Sequence, residues 1–451
     1  METKPDAGLL LEGRMTMGIK VLKFGGSSVA DSGQLKKVKA IIEADPDRKY
    51  VVVSAPGKRF SDDVKITDRL FKCKQLLDEG KSCDEEFALV IERFNGIASD
   101  LGIDVDLKPA FDEIVSTMKT GCSRDYVASR GEHLSAKLIA AYLGYEFVET
   151  AGVVLFDSNG KLLDEETNEN LKKALEGVER AVIPGFYGSE KGTRNIKVFS
   201  RGGSDVTGAL VARAVLAEVY ENWTDVSGLL AADPRIVKDP MPVRAISYAE
   251  LRELSVMGAS VLHEDAVIPV QKEYIPINIR NTDRPGDPGT IISDAGDTER
   301  EISGVSGKKG YTRITMKRNG INKQAGAIAG AVHAADDLDI GVEFTLTSVD
   351  TISLVIPDSA LAEKKDELIQ TLWQELVPDQ MAAEEGLSIV AAVGSGLAEN
   401  TALIAKLISS LGEHDIMICM LLQGSSPNSV LFGVPTAQYD DALRTLHDAC
   451  R

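Results

Sequence analysis

The residues best suited to chemistry fall in four short segments. The first, Lys23-Phe24-Gly25-Gly26-Ser27-Ser28, follows the apolar run Ile19–Leu22. Adjacent glycines let backbone N–H groups approach an anion with no Cβ in the way, and Lys23 adds a mobile positive charge able to follow a phosphoryl group. The segment is neither GxxxxGK[ST] nor GxGxxG. A second loop of the same kind, Ser200-Arg201-Gly202-Gly203-Ser204-Asp205, puts a guanidinium, a glycine pair and a carboxylate together. Arginine grips carboxylates through two parallel hydrogen bonds, and an Asp beside a Lys holds the ammonium in place. The third is Ser129-Arg130-Gly131-Glu132-His133, where Glu132 can pair with an ammonium. In the fourth, Trp223-Thr224-Asp225-Val226-Ser227-Gly228 precedes Asp233-Pro234-Arg235, a small-residue loop of the kind that lines nucleotide pockets. Taken singly, each has a plain structural alternative: a tight turn at Gly25-Gly26, a helix cap at Ser204 or Asp205, a surface carboxylate at Glu132, an ordinary turn at Asp233-Pro234. His133 and His263 read as structural.

Loops of this kind need strands and helices that alternate. Ile19–Leu22 and Val51–Val53 are short apolar runs, and between them Leu35, Val38, Ile41 and Ile42 recur at helical spacing behind Asp31 or Ser32 as N-cap. Arg124–Leu143 repeats the helical pattern through Val127, Leu134, Leu138 and Ala141. Ala181–Ile183 and Ile196–Phe199 are strand-like, and Asp205–Leu216 predicts another helix. The alternation predicts a three-layer α/β domain with a mainly parallel sheet, reaching about Ile292. Asn281–Gly304 reads as a terminal hairpin and a linker. Beyond it one pattern occurs twice. Ala327–Ile340 leads into Thr351–Ile356, and Thr401–Gly412 leads through Asp415-Ile416 into Ser429–Phe432, with Asp339 and Asp415 76 residues apart. Helix, Asp-Ile loop and two strands, twice over, predict duplicated small α+β modules.

Composition narrows the partners. Of 451 residues 43% are hydrophobic and 26% charged, enough to bury an ordinary globular core. The formal net charge of −19 and the lack of a long Lys/Arg block argue against nucleic acid and anionic lipid. No run approaches the roughly 18 apolar residues of a membrane span. Leu9–Leu11 is too short for the secretory core of about 7–15 residues, so residues 1–17 read as an extension, with Met15 and Met17 as alternative starts. Five scattered cysteines without a CxxC pair suggest reduced thiols in the cytoplasm and no structural zinc.

In this order and spacing the segments resemble the aspartate kinases of the amino-acid kinase superfamily. The family's Lys-Phe-Gly-Gly-Ser/Thr-Ser-Val stands here as Lys23–Val29, its Arg-Gly-Glu as Arg130–Glu132, and its Gly-Arg-Gly-Gly-Ser-Asp as Ser200–Asp205, with Ser for the first Gly. Thr-Asp-Val-x-Gly…Asp-Pro-Arg stands as Thr224–Arg235, and Gly-Ala-x-Val-Leu-His as Gly258–His263. The likeness runs over Gly18–Arg451, because the repeated modules are similar to the two ACT domains that follow this kinase. It implies an αβα amino-acid kinase fold over residues 18–297. Two ferredoxin-like ACT domains would follow, over 298–378 and 379–451, with the first strand of the former available to the latter.

The implied reaction is phosphorylation of the 4-carboxylate of L-aspartate by ATP, giving 4-phospho-L-aspartate for lysine, threonine and methionine synthesis. On this likeness Lys23 stabilises the moving phosphoryl group and Asp205 orients Lys23. Gly25, Gly26, Ser27, Gly202, Gly203 and Ser204 face the phosphates. Ser54, Thr67, Glu132 and Arg201 hold aspartate, Glu132 by its ammonium and Arg201 by its α-carboxylate. Thr224, Asp225, Gly228, Asp233, Arg235 and Ser260 bind the nucleotide, whose Mg²⁺ takes no direct protein ligand. An effector amino acid, lysine and/or threonine, is expected at Ile321, Gln324, Gly341, Val342, Glu343, Thr347 and Ser348, in a homodimer or homotetramer assembled through the ACT domains. Two positions depart from the family: Ser260 replaces a nucleotide-binding Lys, and Leu230 an aromatic. Both lie on the nucleotide side, so catalysis is expected with altered nucleotide affinity or base preference. The alternatives are another carboxylate or carbamate kinase of the superfamily and a catalytically silent amino-acid sensor. Glu132 with Arg201 and the double tail favour aspartate, and the joint presence of Lys23, Asp205, Arg201 and Glu132 argues against a silent protein.

Overall fold

Short β-branched runs separated by helices build the first sheet. A computed structural model describes residues 18–200, 202–258, 262, 264–297, 300–424 and 426–450. Its strands are β1 (Lys20–Phe24), β2 (Arg48–Val53), β3 (Glu146–Phe147), β4 (Leu155–Phe156), β5 (Ala181–Pro184), β6 (Tyr187–Glu190), β7 (Ile196–Val198), β8 (Val219–Thr224), β9 (Ala245–Ser247), β10 (Ile277–Asn281) and β11 (Thr290–Ser293). Eight of them form one sheet in the order β3-β5-β2-β1-β8-β10-β11-β9, and β4, β6 and β7 form a small second sheet. Every neighbouring pair of the large sheet is parallel except the β10–β11 hairpin. The central strands are buried almost throughout, as expected where helices cover both faces of a parallel sheet.

The helices follow local signals. Ser32–Glu43 begins where Asp31 accepts from the Gln34 amide at 2.9 Å, and Arg124–Leu143 begins at Ser123 and stops at Gly144 with φ 70°. Leu35, Val38, Phe87, Phe94, Phe111, Leu134 and Leu138 join Leu22, Phe24, Val51 and Val53 in one core. The Arg124–Leu143 helix is buried from Val127 to Ala136, and that stretch contains Arg130, Glu132 and His133. Charged residues placed where a core residue belongs need partners or a purpose.

A second compact unit comprises Leu230–Met241, the described part of 252–259, and the chain from residue 300. Its strands are β12 (Gly304–Lys317), β13 (Phe344–Thr347), β14 (Thr351–Pro357), β15 (Gln380–Val393), β16 (Met420–Gln423) and β17 (Ser429–Pro435), in the sheet order β13-β14-β12-β15-β17-β16. All its pairings are antiparallel. Two long strands run through both modules. The far half of β12, from Tyr311, pairs with β14 and with Gln380–Glu384, whereas its near half, Gly304–Lys309, pairs with Leu387–Val393 beside β17. Each module therefore takes one strand across the sequence boundary between the copies: residues 304–309 complete the second sheet and residues 380–384 the first. Helices Ala327–Asp336 and Lys365–Leu376 cover one half, and Thr401–Glu413 and Tyr439–Ala449 the other.

The repeat extends to backbone conformation. Asp339 and Asp415 both sit at φ 54°, each just past a helix. Behind them the amides of Ile340 and Ile416 both bond five residues back, to Ala335 and Leu411, at 2.9 Å. Gly310 and Gly386 also correspond, at φ 86° and 74°, where the β12–β15 register shifts. An L side chain in the left-handed region costs about 1–2 kcal/mol, and a Cβ on Gly386 would meet nothing within 4 Å. Gly386→Ala is thus expected to lower stability by about 1–2 kcal/mol through the backbone alone. Gly386→Asn should cost less, since Asn tolerates this region. Denaturant midpoints of the two variants check this; equal midpoints for Ala, Asn and wild type would remove the backbone argument.

Candidate active site

Parallel pairing brings the carboxyl ends of β1, β2, β5, β8 and β10 to one edge of the sheet, the edge where open α/β sheets bind ligands. In this register Lys23 lies opposite Asn222. The Lys23 ammonium is 2.6 Å from Asp205 Oδ1, with the two side chains 10% and 16% exposed. Asn222 Nδ2 donates to the same oxygen at 3.0 Å, and the Tyr220 hydroxyl donates to the Asp205 carbonyl at 3.0 Å. Asp205 does not cap its helix. The Gly203–Ala214 helix starts from Gly202 at φ 58° with no side-chain cap, which frees the carboxylate for Lys23.

The glycines are where backbones meet. A Cβ on Gly26 would lie 2.9 Å from the Ala55 carbonyl, and one on Gly57 2.8 Å from Gly26, whose carbonyl accepts the Gly57 amide at 2.8 Å. The Gly25 amide donates to the Trp223 carbonyl at 3.1 Å. On the other side Gly185 leaves room for Ser204, whose hydroxyl accepts from Ser54 Oγ at 3.0 Å. Lys23, the first glycine pair, Ser54, Ser204 and Asp205 thereby share one cleft.

Glu132 reaches the same loops from the Arg124–Leu143 helix. It is buried, its Oε2 has no hydrogen-bond partner, and burial pushes its carboxyl up to about 8 although the Ala55 amide favours the charged form. A Cβ on the neighbouring Gly131 would sit 2.6 Å from that of Ala55, so the glycine sets how closely this helix approaches. Arg130 donates to Ser129 Oγ and stacks over Tyr126 and Tyr187 at 4.6 and 5.1 Å. His133 Nδ1 lies 2.9 Å from Glu149, whose other oxygen accepts from the Tyr187 hydroxyl at 2.6 Å. Burial would raise the Glu149 carboxyl, but the His133 and Tyr187 contacts outweigh it and bring it down to about 2.

Sequence comparison gives the family of the chain. A model of the amino acid kinase family matches residues 18–281, and an ACT domain model matches residues 390–450. Aspartokinase 3 of Bacillus subtilis is 32% identical over 446 residues, 95% of this chain and 98% of that protein. The chain belongs to the aspartate kinases. The crystal structure of the aspartate kinase of Clostridium acetobutylicum, described as an allosteric enzyme, matches with a TM-score of 0.90 at 42% identity, over 96% of this chain and 100% of that one. E. coli aspartokinase III, solved with aspartate and ADP, shares the fold at 24% identity and a TM-score of 0.71, over 96% of this chain and 99% of that one. The same enzyme solved with lysine and aspartate gives a TM-score of 0.70. The expected αβα kinase fold with an antiparallel ACT region, and the expected aspartate kinase activity, are met.

The remaining predicted positions of the kinase divide. Thr224 and Asp225 end β8, with the Thr224 carbonyl accepting from the Thr282 amide at 2.9 Å, and Gly228 adopts φ 97° against Thr290. Ser28 Oγ and Thr282 Oγ1 lie 2.8 Å apart, so the first glycine loop and the nucleotide-side loop meet at one residue. Ser27 is exposed, and Thr67 is half-buried in the first turn of the Ile66–Asp78 helix. Asp233 and Arg235 belong to the second compact unit and pair with each other at 2.6 Å. Residues 1–17, Arg201, Ser260 and His263 lie outside the described residues.

Of the effector set, Ile321 and Gln324 flank a turn whose Asn322 amide bonds Val349, beside Thr347 and Ser348. Gln324 accepts from Arg318. Gly341, Val342 and Glu343 precede the other end of β13. Three residues of strand lie between Glu343 and Thr347, which sets the two groups about 13 Å apart within one chain. One Glu343 oxygen is buried without a partner, and Glu343 faces the Tyr311 hydroxyl.

Sequence reasoning missed Asn222, Tyr220, Glu149 and Tyr187. One signal was available for two of them: Val219-Tyr-Glu-Asn-Trp-Thr224 carries polar residues in the middle of a central strand, where an apolar run is the norm. Glu221 there accepts from Arg48 at 2.9 and 3.0 Å and from Trp223 Nε1 at 2.9 Å.

The Glu132 carboxyl has a testable sign. In the unfolded chain it ionises near its ordinary value of 4.5, in the fold near 8. Its contribution to stability is therefore complete at low pH and is lost progressively as pH rises from about 4.5 to about 8. Glu132→Gln removes this loss, so the difference in Tm, variant minus wild type, should grow across that interval and then level off. Thermal melts at half-unit steps of pH read it; a flat difference would show that the buried acid is not raised.

Proposed function

We propose that Lys23, held by Asp205 between the two glycine loops, neutralises the phosphoryl group as it moves from ATP to the aspartate 4-carboxylate. The 2.6 Å contact between Lys23 and Asp205, beside the first glycine pair and the Ser54–Ser204 hydrogen bond, is the observation that carries this reading. Phosphoryl transfer asks little covalent chemistry of a protein; it asks for alignment and charge neutralisation. The acceptor carboxylate is already ionised at neutral pH, so no strong base is needed. Gly26, Ser27, Gly203 and Ser204 present backbone and hydroxyl donors to the phosphates, with Gly25 and Gly202 shaping the two loops that face them. Ser54 and Thr67 border the acceptor, Glu132 takes its ammonium and Arg201 its α-carboxylate. Thr224, Asp225 and Gly228 line the nucleotide, with Ser260 on that side. Mg²⁺ enters with ATP, held by phosphates and water, and supplies charge neutralisation there.

Regulation on this reading belongs to the first ACT module. Glu343 keeps a buried oxygen free for a cationic effector, of which lysine is the natural candidate. The corresponding position of the second module, 76 residues on, is Cys419, which offers no charge. The two ends of β13 would meet one effector in a homodimer or homotetramer in which neighbouring chains contribute opposite ends. The acidic chain and the absence, among the described residues, of any helix long and apolar enough to cross a membrane fit a cytoplasmic enzyme.

Lys23→Ala is expected to lower kcat by about 10³-fold or more with Tm little changed, measured by coupled ADP release with aspartate. Retained turnover would end the reading. Glu132 predicts a second result. The site must ionise a carboxyl that holds its proton to about 8 before it can bind the ammonium. KM for aspartate should therefore fall as pH rises from about 6 to about 8, approaching tenfold per unit at the low end, and Glu132→Gln should abolish the slope. A KM independent of pH would remove Glu132 from the ammonium site.

A further inference from the structure

Arg93 lies on the Asp84–Leu101 helix, outside every motif of the kinase, and its side chain is only 7% exposed. A buried guanidinium costs several kcal/mol unless its donors are satisfied. Here the two terminal nitrogens reach three acceptors on two loops, while the buried Nε has no partner. Nη1 donates to Asp63 Oδ2 at 2.9 Å, and Nη2 donates both to the Ala30 carbonyl at 2.8 Å and to the Gly57 carbonyl at 2.9 Å. Ala30 closes the turn that follows Gly25-Gly26-Ser27-Ser28. Gly57 belongs to the loop after β2, which carries Ser54 and Ala55, and its amide bonds Gly26. Asp63, 3% exposed, is itself held by Arg59 through the backbone amide, Nε and Nη2 at 2.8–3.0 Å.

We propose that Arg93 is a positioning residue for phosphoryl transfer: its Nη2 fixes the distance between the loop that faces the phosphates and the loop that borders the acceptor. The inference rests on the cleft described above. The two segments are already tied by the Ser54 amide to the Phe24 carbonyl and by the Gly57 amide to the Gly26 carbonyl, but neither bond reaches the turn that Ala30 closes. A further tie from one rigid planar fork, at Ala30 and Gly57, holds that turn against the loop after β2. Lysine cannot replace it. An ammonium on a flexible stem can satisfy one carbonyl or the carboxylate but does not hold a fork geometry. Arg93 touches neither substrate, so its effect falls on alignment, where a displacement of about 1 Å costs about 10²-fold in rate.

The experiment compares Arg93→Lys, Arg93→Ala and Asp63→Asn with wild type in the full-length enzyme, well below each Tm, using steady-state kinetics at saturating ATP and aspartate. Arg93→Lys is expected to lower kcat by about 10–10²-fold with KM for both substrates within about threefold, because the binding groups stay and their alignment is lost. In Arg93→Ala, methylguanidinium added to the assay should restore part of kcat. Asp63→Asn leaves both carbonyl contacts and should keep kcat within about threefold even where Tm falls. Wild-type kcat in Arg93→Lys, or a loss in all three variants that tracks Tm alone and is not rescued by methylguanidinium, would overturn the proposal. If Arg93→Ala does not fold, Arg93→Lys against Asp63→Asn still decides it. The reading of the site itself is tested separately by Lys23→Ala, whose loss of turnover does not depend on Arg93.

Discussion

An ammonium serves a migrating phosphoryl group only if it is held where the group will pass and is not drawn off by solvent or by a neighbouring chain segment. On the proposed role of Lys23, one carboxylate would do this here. Asp205 sits at the start of a helix, where an acid ordinarily caps its own backbone, and it is turned instead toward the next strand. Two features make that possible. Gly202 takes the left-handed conformation that lets the helix begin without a side-chain cap, and Asn222 supplies an amide donor that fixes the carboxylate from below. Without Asn222 the carboxylate would keep only one of its two partners at that oxygen, and Lys23 would follow whichever rotamer Asp205 chose.

The same economy explains the glycines. Gly26, Gly57, Gly131 and Gly185 share a property that has nothing to do with flexibility: at each, a methyl group would overlap another segment's atoms by several tenths of an ångström or more. Removing the Cβ lets backbone segments approach one another to a distance that any side chain would prevent. Close approach has a cost at Glu132. The helix carrying it is drawn in against Ala55 until one carboxyl oxygen is buried with no partner, and the burial is relieved by holding a proton to about 8.

How much of this could be read from the sequence depends on whether partners are neighbours along the chain. The Lys23 and Arg201 loops are contiguous, so residue types and order were enough to propose an anion site. The Arg124–Leu143 helix is legible for the same reason, through its spacing of apolar residues and its Ser123 and Gly144 boundaries. Asn222, Glu149 and Arg93 are not legible, because each acts on a residue far away in sequence and only the strand register or a helix packing brings the two together. Local rules even pointed the wrong way at Asp205, where a capping role and an ion pair compete for one side chain and the long-range partner wins. In the ACT region the Asp-Ile repeat was visible because a left-handed position after a helix selects Asp, Asn or Gly. That β12 and β15 each serve both modules was less visible. A 14-residue strand with a glycine near its middle reads equally as one strand or as two.

The edge of the sheet carries the rest of the argument. β1, β2, β5, β8 and β10 end at Phe24, Val53, Pro184, Thr224 and Asn281, and Lys23, Gly25, Gly26, Ser54, Thr224 and Asp225 lie within a few residues of these ends, whereas Gly202–Asp205 follow β7 of the small sheet and Glu132 comes from a helix. Strands in a parallel ladder cannot slide singly, since each slip would break slanted bonds to two neighbours and turn a buried face outward. The ends therefore keep their spacing to the accuracy of the ladder. What the ladder does not control is the path of the chain after each strand has ended. Those paths are tied laterally: Gly25 to Trp223, Ser54 to Ser204, Ser28 to Thr282, and Ala30 to Gly57 through Arg93. Each tie joins loops from different strands, so a displacement of any one loop is resisted by at least one other. The accuracy that in-line transfer requires is reached by this lateral bonding and not by the rigidity of any single loop.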